Sequence, residues 1–119
     1  MKTVLIADDS IFMQKWLTKI IQSNSMFQVV ATAQNGLDAV KQYKLTDPDI
    51  ALLDIVMPDA SGVTALKEII KYDKNAYVIM CSSLGADSHV KEAMKLGAKD
   101  FIVKPYFHCL VEKMKKVSR

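Results

Sequence analysis

Five positions able to do chemistry follow short apolar runs in this 119-residue chain. Asp8 and Asp9 come after Val4 to Ala7, Asp54 after Ile50 to Leu53, Ser82 after Tyr77 to Cys81, and Lys104 after Phe101 to Val103. The acids have no His or Cys close in sequence. A donor set made only of carboxylate oxygens suits a hard cation such as Mg²⁺. Three carboxylates brought together raise the cost of keeping one another ionised, so such a cluster needs positive charge to relieve it. Lys104 supplies a second positive charge from the far side. A divalent cation and a lysine around one carboxylate suit a transferring phosphoryl group, because that transfer is mostly positioning plus charge neutralisation. Asp54 stands between the other elements and is the natural nucleophile.

Each feature taken alone has a plainer explanation. Adjacent acids after a strand often serve a helix N-terminus, a strand-end Asp is often a cap, a lone Ser often belongs to a turn, and Lys-Pro often faces solvent. The weight lies in their coincidence at four strand ends. The runs Val4 to Ala7, Val29 to Ala33, Ile50 to Leu53, Tyr77 to Cys81 and Phe101 to Val103 are apolar without strict alternation, as in strands buried on both faces of a parallel sheet. Between them the period becomes helical. Met13, Trp16, Leu17 and Ile20 form one stripe against Gln14, Lys15, Thr18, Lys19 and Gln22. Val90, Ala93 and Met94 oppose Lys91, Glu92 and Lys95. Phe107, Leu110, Val111, Met114 and Val117 oppose Glu112, Lys113, Lys115 and Lys116. The Met, Phe and Trp stripes are expected in the core. Ser10 is placed to cap the first helix, Asn35-Gly36 and Ser61-Gly62 to turn before the second and third, and Gly97 to stop the fourth. Asp47-Pro48 blocks helix before the third strand. Five strand–helix units predict an α/β fold with a parallel sheet covered by helices on both faces. Ligands of such sheets bind beyond the carboxyl ends of the strands, which is where the five positions lie. The end of the second run, Gln34-Asn35, carries no evident chemistry.

Composition excludes several other classes. Half of the residues are apolar, which excludes disorder, and the length is that of one ordinary domain, here residues 1–119. Sixteen basic against thirteen acidic residues leave +3, too weak a bias for a nucleic-acid footprint. Asp8-Asp9 ends the first apolar run after four residues, short of the roughly 7 to 15 of a secretory segment. No run approaches the roughly 18 residues of a membrane span, so a cytoplasmic protein without membrane insertion is expected. Cys81 and Cys109 form no CxxC and read as small reduced hydrophobes.

Ala-Asp-Asp-Ser at residues 7–10, Leu-Asp-Ile-Val-Met-Pro-Asp-Ala-Ser-Gly at 53–62, Met-Cys-Ser-Ser at 80–83 and Lys-Asp-Phe-Ile-Val-Lys-Pro at 99–105 together resemble the receiver domain of two-component response regulators. The resemblance covers essentially the whole chain and is greatest to stand-alone chemotaxis regulators of the CheY type. It implies a flavodoxin-like doubly wound sheet with strand order 2-1-3-4-5. It also implies that Asp54 is the phosphoacceptor, taking its phosphoryl group from a histidine kinase. Asp8 and Asp9 then match the Mg²⁺-holding acidic pair, and the Val56 backbone carbonyl matches a further metal ligand. Ser82 matches the switch hydroxyl, Lys104 the lysine that pairs with the phosphoryl oxygen, and Pro105 the proline after a cis peptide. Phe101 occupies an aromatic switch position where many relatives carry Tyr. The expected target face is formed by the fourth helix, fifth strand and fifth helix, with Lys91, Lys95, Lys113 and Lys116 exposed there. Receivers hold hydrolytic water with side chains two positions after the phosphoacceptor and two after the switch hydroxyl. Here those are Val56 and Leu84, neither of which hydrogen-bonds water.

Two readings of other classes fit less well. A haloacid-type aspartyl-phosphate phosphatase places its nucleophile in Asp-x-Asp, whereas Asp8-Asp9 has no intervening residue. A flavin module needs a hydroxyl- and Gly-rich phosphate loop, which Asp8-Asp9 would repel. The chain stops about two residues past the last helical stripe, so the expectation is either a single-domain regulator working by protein contact or a receiver cut from a longer protein with an output domain.

Overall fold

The computed structural model describes residues 1–83 and 87–117. Five strands and five helices alternate: β1 (Lys2–Ala7), α1 (Ile11–Gln22), β2 (Phe27–Ala33), α2 (Gly36–Thr46), β3 (Ile50–Asp54), α3 (Gly62–Tyr72), β4 (Val78–Ser82), α4 (Asp87–Leu96), β5 (Asp100–Val103) and α5 (Leu110–Met114). All strand pairs are parallel, in the order β2-β1-β3-β4-β5. The expected flavodoxin-like sheet is therefore the observed one. β1 and β3 are neighbours, the condition for Asp8, Asp9 and Asp54 to share one crevice.

The apolar runs lack alternation because alternate residues enter two different cores. Leu5, Ala7, Ala51 and Leu53 pack with Tyr43, Leu66 and Ile69 on the α2–α3 side. Val4, Ile6, Ile50 and Leu52 pack with Leu17, Ile21, Leu110 and Met114 on the α1–α5 side. β3 and β4 are buried at every position, whereas the edge strands β2 and β5 are partly open to solvent. That opening lets Gln28 join β2 ahead of the expected run.

Ser10 caps the first helix as expected, and Asn35 and Ser61, expected as turns, cap the second and third. Ser10 Oγ accepts from the Met13 N–H, Asn35 Oδ1 from the Asp38 N–H and Ser61 Oγ from the Thr64 N–H. Gly97 takes φ +119° just past α4, and Asp47 closes α2 in the left-handed region. The last apolar stripe is helical only over Leu110–Met114. Before it, Tyr106 and Phe107 donate to the carbonyls of Val103 and Pro105 in tight turns, and after it Lys116 and Val117 form similar turns. The stripe still points inward, with Phe107, Leu110 and Met114 buried.

Three expectations of burial are corrected. Gln14 is buried, while Trp16 and Met94 are each 39% exposed. Positions 14, 17 and 21 make the inner face of α1, and Trp16 lies at its border with its ring edge-on to Phe107 at 5.3 Å. Met94 lines a surface groove between α4 and β5. Cys109 is an exposed free thiol, whereas Cys81 is buried as expected.

Candidate functional site

The crevice forms where the sheet ladder stops. Asp8 leaves β1 with its N–H still donating to the Ala33 carbonyl of β2 at 3.0 Å. Its carboxylate is fixed at both oxygens: Oδ1 accepts the Ser10 N–H at 2.9 Å and Oδ2 the Lys104 ammonium at 3.0 Å. Gln14 supports this arrangement from α1, its Nε2 donating to the carbonyls of Asp8 at 2.8 Å and Ala33 at 3.1 Å. A glutamine so placed satisfies two buried carbonyls at the ends of two strands. Sequence reasoning missed it by assigning Gln14 to the polar face. The spacing 14, 17, 21 was the available signal.

Asp54 ends β3. Its Oδ2 accepts from Lys104 Nζ at 2.8 Å and its Oδ1 from the Val56 N–H at 3.3 Å. Behind it, the Ile55 N–H donates to the Cys81 carbonyl at 3.0 Å, carrying the sheet contact one residue further. Gly62 packs on this strand end so tightly that a Cβ there would overlap the Asp54 carbonyl oxygen. Lys104 is held in turn by its own N–H, which donates to the Ser82 carbonyl at 2.7 Å, and it precedes Pro105 through a cis peptide bond. Asp8, Asp54 and Ser82 are buried, and Asp9 is exposed at the mouth.

Asp8, Asp9 and Asp54 each offer a carboxylate oxygen, and these oxygens lie within 4.8 Å of one another. With Lys104 bridging two of the acids, the site holds three carboxylates and one ammonium. Burial lifts the Asp54 carboxyl above its ordinary value against the lowering influence of Lys104, with the charge of Asp8 adding to the rise. Burial alone would lower the Lys104 pKa, but its hydrogen bonds to Asp54 and Asp8 outweigh that and hold it above the ordinary lysine value. Burial, reinforced by the Asp54 charge, pushes the Cys81 thiol up to about 12, which makes it an inert neighbour. The oxygen-only donor set and the excess negative charge fit a hard divalent cation.

The remaining expected residues are close by. Val56 is 66% exposed at the start of the β3–α3 loop, and Phe101 is half-exposed on β5. Leu84 lies outside the described residues. Lys91, Lys95 and Lys116 are exposed as expected, but Lys113 is not: its ammonium sits 2.9 Å from Asp100 Oδ1.

A parallel doubly wound sheet with an acidic cluster and a lysine at its carboxyl edge defines an α/β protein built to bind at the switch between β1 and β3. Residues 4–115 match the response regulator receiver domain, and the chain belongs to that family. It is 48% identical over 119 residues to the chemotaxis protein CheY of Thermotoga maritima, covering 99% of this chain and 98% of that protein. It is 50% identical over 103 residues to CheY of Bacillus subtilis, covering 87% of this chain and 85% of the relative. Among solved structures, the CheX–CheY–BeF3–Mg²⁺ complex from Borrelia burgdorferi superposes with a TM-score of 0.89 at 44% identity, covering 98% of this chain and 88% of the matched one.

Proposed function

We propose that this chain is a phosphoacceptor switch of a two-component pathway, receiving a phosphoryl group on Asp54 from a histidine kinase in the cytoplasm. The observation that carries the reading is the position of Lys104 Nζ, 3.0 Å from Asp8 and 2.8 Å from Asp54, with Asp9 closing the acidic cluster. An Asp54 oxygen forms the new bond to phosphorus while the bond from phosphorus to the donor's imidazole nitrogen breaks. Lys104 then exchanges a carboxylate oxygen for a phosphoryl oxygen, and the Ser82 hydroxyl donates to another. Asp8, Asp9, Asp54 and the Val56 carbonyl would hold Mg²⁺, which when bound neutralises charge on the transferring oxygens. The chain is a signalling domain that assists its own transfer, not an enzyme with a separate substrate.

Movement of Ser82 toward the phosphoryl group gives Phe101 room to turn inward, and the face of α4, β5 and α5 changes shape for a protein target. A bias of a few kcal/mol between two packings suffices. The similarity to chemotaxis proteins supports a role in chemotaxis. The direct test is amide chemical shifts on adding beryllofluoride with Mg²⁺. Shifts spread through residues 82–104 support the switch, and shifts confined to Asp8, Asp9, Asp54 and Lys104 contradict it.

A further inference from the structure

Phe101 carries no hydroxyl, so a cation that meets its ring does so at the electron-rich face. Lys113 of α5 does so, with its Nζ 5.7 Å from the ring centroid. The ammonium is anchored there. It sits 2.9 Å from Asp100 Oδ1, and the same oxygen accepts the Phe101 N–H at 2.8 Å. The Lys113 carbonyl accepts the Tyr77 hydroxyl at 3.3 Å, which ties α5 to the residue preceding β4. Both partners of the ion pair are largely shielded, with 27% of the Lys113 side chain and 20% of that of Asp100 exposed. Phe101 also lines the groove between α4 and β5, about 470 Å³, together with Ser82, Val90, Met94 and Val103, and Lys113 is not among the residues that line it. That groove is the space an inward-turning ring would enter.

We infer that Lys113, anchored by Asp100, is a positioning residue that holds the Phe101 ring at the surface in the unphosphorylated chain and so sets the threshold of the switch. The inference rests on the phosphoacceptor reading. A cation over an aromatic face attracts it, and this cation cannot follow the ring inward while it remains paired with Asp100 on the strand. Turning inward therefore forfeits the contact. A cation–π contact of ordinary strength biases the two ring positions by roughly two- to five-fold. By linkage, a phosphoryl mimic that favours the inward ring must overcome the same factor.

The test uses Lys113→Met, which keeps an apolar stem and removes the charge, with Lys113→Arg to restore a cation. The Phe101 ring is observed by NMR in phenylalanine-labelled protein, its signal assigned by its loss in Phe101→Leu. Without any phosphoryl mimic, Lys113→Met should strengthen nuclear Overhauser contacts from the ring to Val90 and Met94, and Lys113→Arg should return them to the wild-type pattern. Beryllofluoride with Mg²⁺ should then bind Lys113→Met two- to five-fold more tightly than wild type, with no such gain in a Phe101→Leu background. Unchanged ring contacts in Lys113→Met, or an equal gain in affinity without Phe101, overturns the inference. Failure of wild type to bind beryllofluoride instead overturns the phosphoacceptor reading, while the mimic-free ring contacts still report on Lys113.

Discussion

Replacing Lys104 by Met should destabilise the protein, and more so as pH rises above about 4. The ammonium makes two charge-assisted hydrogen bonds, at 3.0 Å to Asp8 and 2.8 Å to Asp54. Its acceptor side chains are 1% and 7% exposed, and its own is 19% exposed. Breaking a buried ion pair from one side costs about 3–5 kcal/mol. Partial access of water to Lys104 sets the expected loss at the lower end, about 3 kcal/mol. For a chain of this length that corresponds to about 12 °C in Tm. The lysine stays charged throughout the range tested, because its raised pKa lies above 10.5. Asp54 sets the pH dependence. Its folded pKa is raised above 3.8 by burial, and Lys104 is what holds it down, so the variant raises it further. An acid with a raised folded pKa weakens the fold as pH climbs from the unfolded value through the folded one. The loss should accordingly be smaller near pH 4 than at pH 8. Adding Asp54→Asn to the variant should recover part of it by removing one of the two stranded charges. Urea unfolding in EDTA, followed by the fluorescence of Trp16, measures all of this, since it is the chain's one tryptophan and packs on Phe107. A loss below about 1 kcal/mol at pH 8, the range of exposed pairs, refutes the reasoning. So does a loss that does not change with pH.

Gln14→Leu should cost about 1–3 kcal/mol in urea unfolding, because the carbonyls of Asp8 and Ala33 each lose a hydrogen bond, although the Asp8 N–H still donates to Ala33. The same variant should weaken Mg²⁺ binding, measured by titration calorimetry, since Asp8 loses a support. Gly62→Ala forces the Asp54 carbonyl to shift and should cost about 1–3 kcal/mol, read as a lower urea midpoint. Val56→Asn with Leu84→Glu should speed loss of the phosphoryl group by about 5- to 30-fold, as expected if one oriented water contact is worth about 1–2 kcal/mol. Unchanged decay by phosphate-affinity gel would show that these two side chains do not set the rate of hydrolysis.

The fold was legible because burial on both faces leaves an unmistakable pattern. A strand such as Ile50–Asp54 sends Ile50 and Leu52 to one core and Ala51 and Leu53 to the other, so it reads as an unbroken apolar run. Edge strands were less legible for the same reason, since β2 alternates and its first two residues, Phe27 and Gln28, fall outside the run. The five site positions stood out because each follows a run at the edge where such sheets bind ligands. The supporting residues did not. Gln14 is a polar residue on an inward face, and its partners Asp8 and Ala33 are backbone groups that no side-chain pattern reveals. Lys113 resembled a solvated lysine because its partner, Asp100, is thirteen positions away and joins it only once β5 and α5 are docked. Cys109 read as a small reduced hydrophobe, and it is an exposed free thiol just before the buried Leu110.

The proposed function requires the bridged carboxylate of Asp54 to accept the phosphoryl group. Incubating wild type and Asp54→Asn with acetyl phosphate and Mg²⁺, then separating the products on a phosphate-affinity gel, measures this step itself. One slower band in wild type that is abolished by EDTA and absent from Asp54→Asn is the predicted result. Labelling of Asp54→Asn to the same extent as wild type would contradict it.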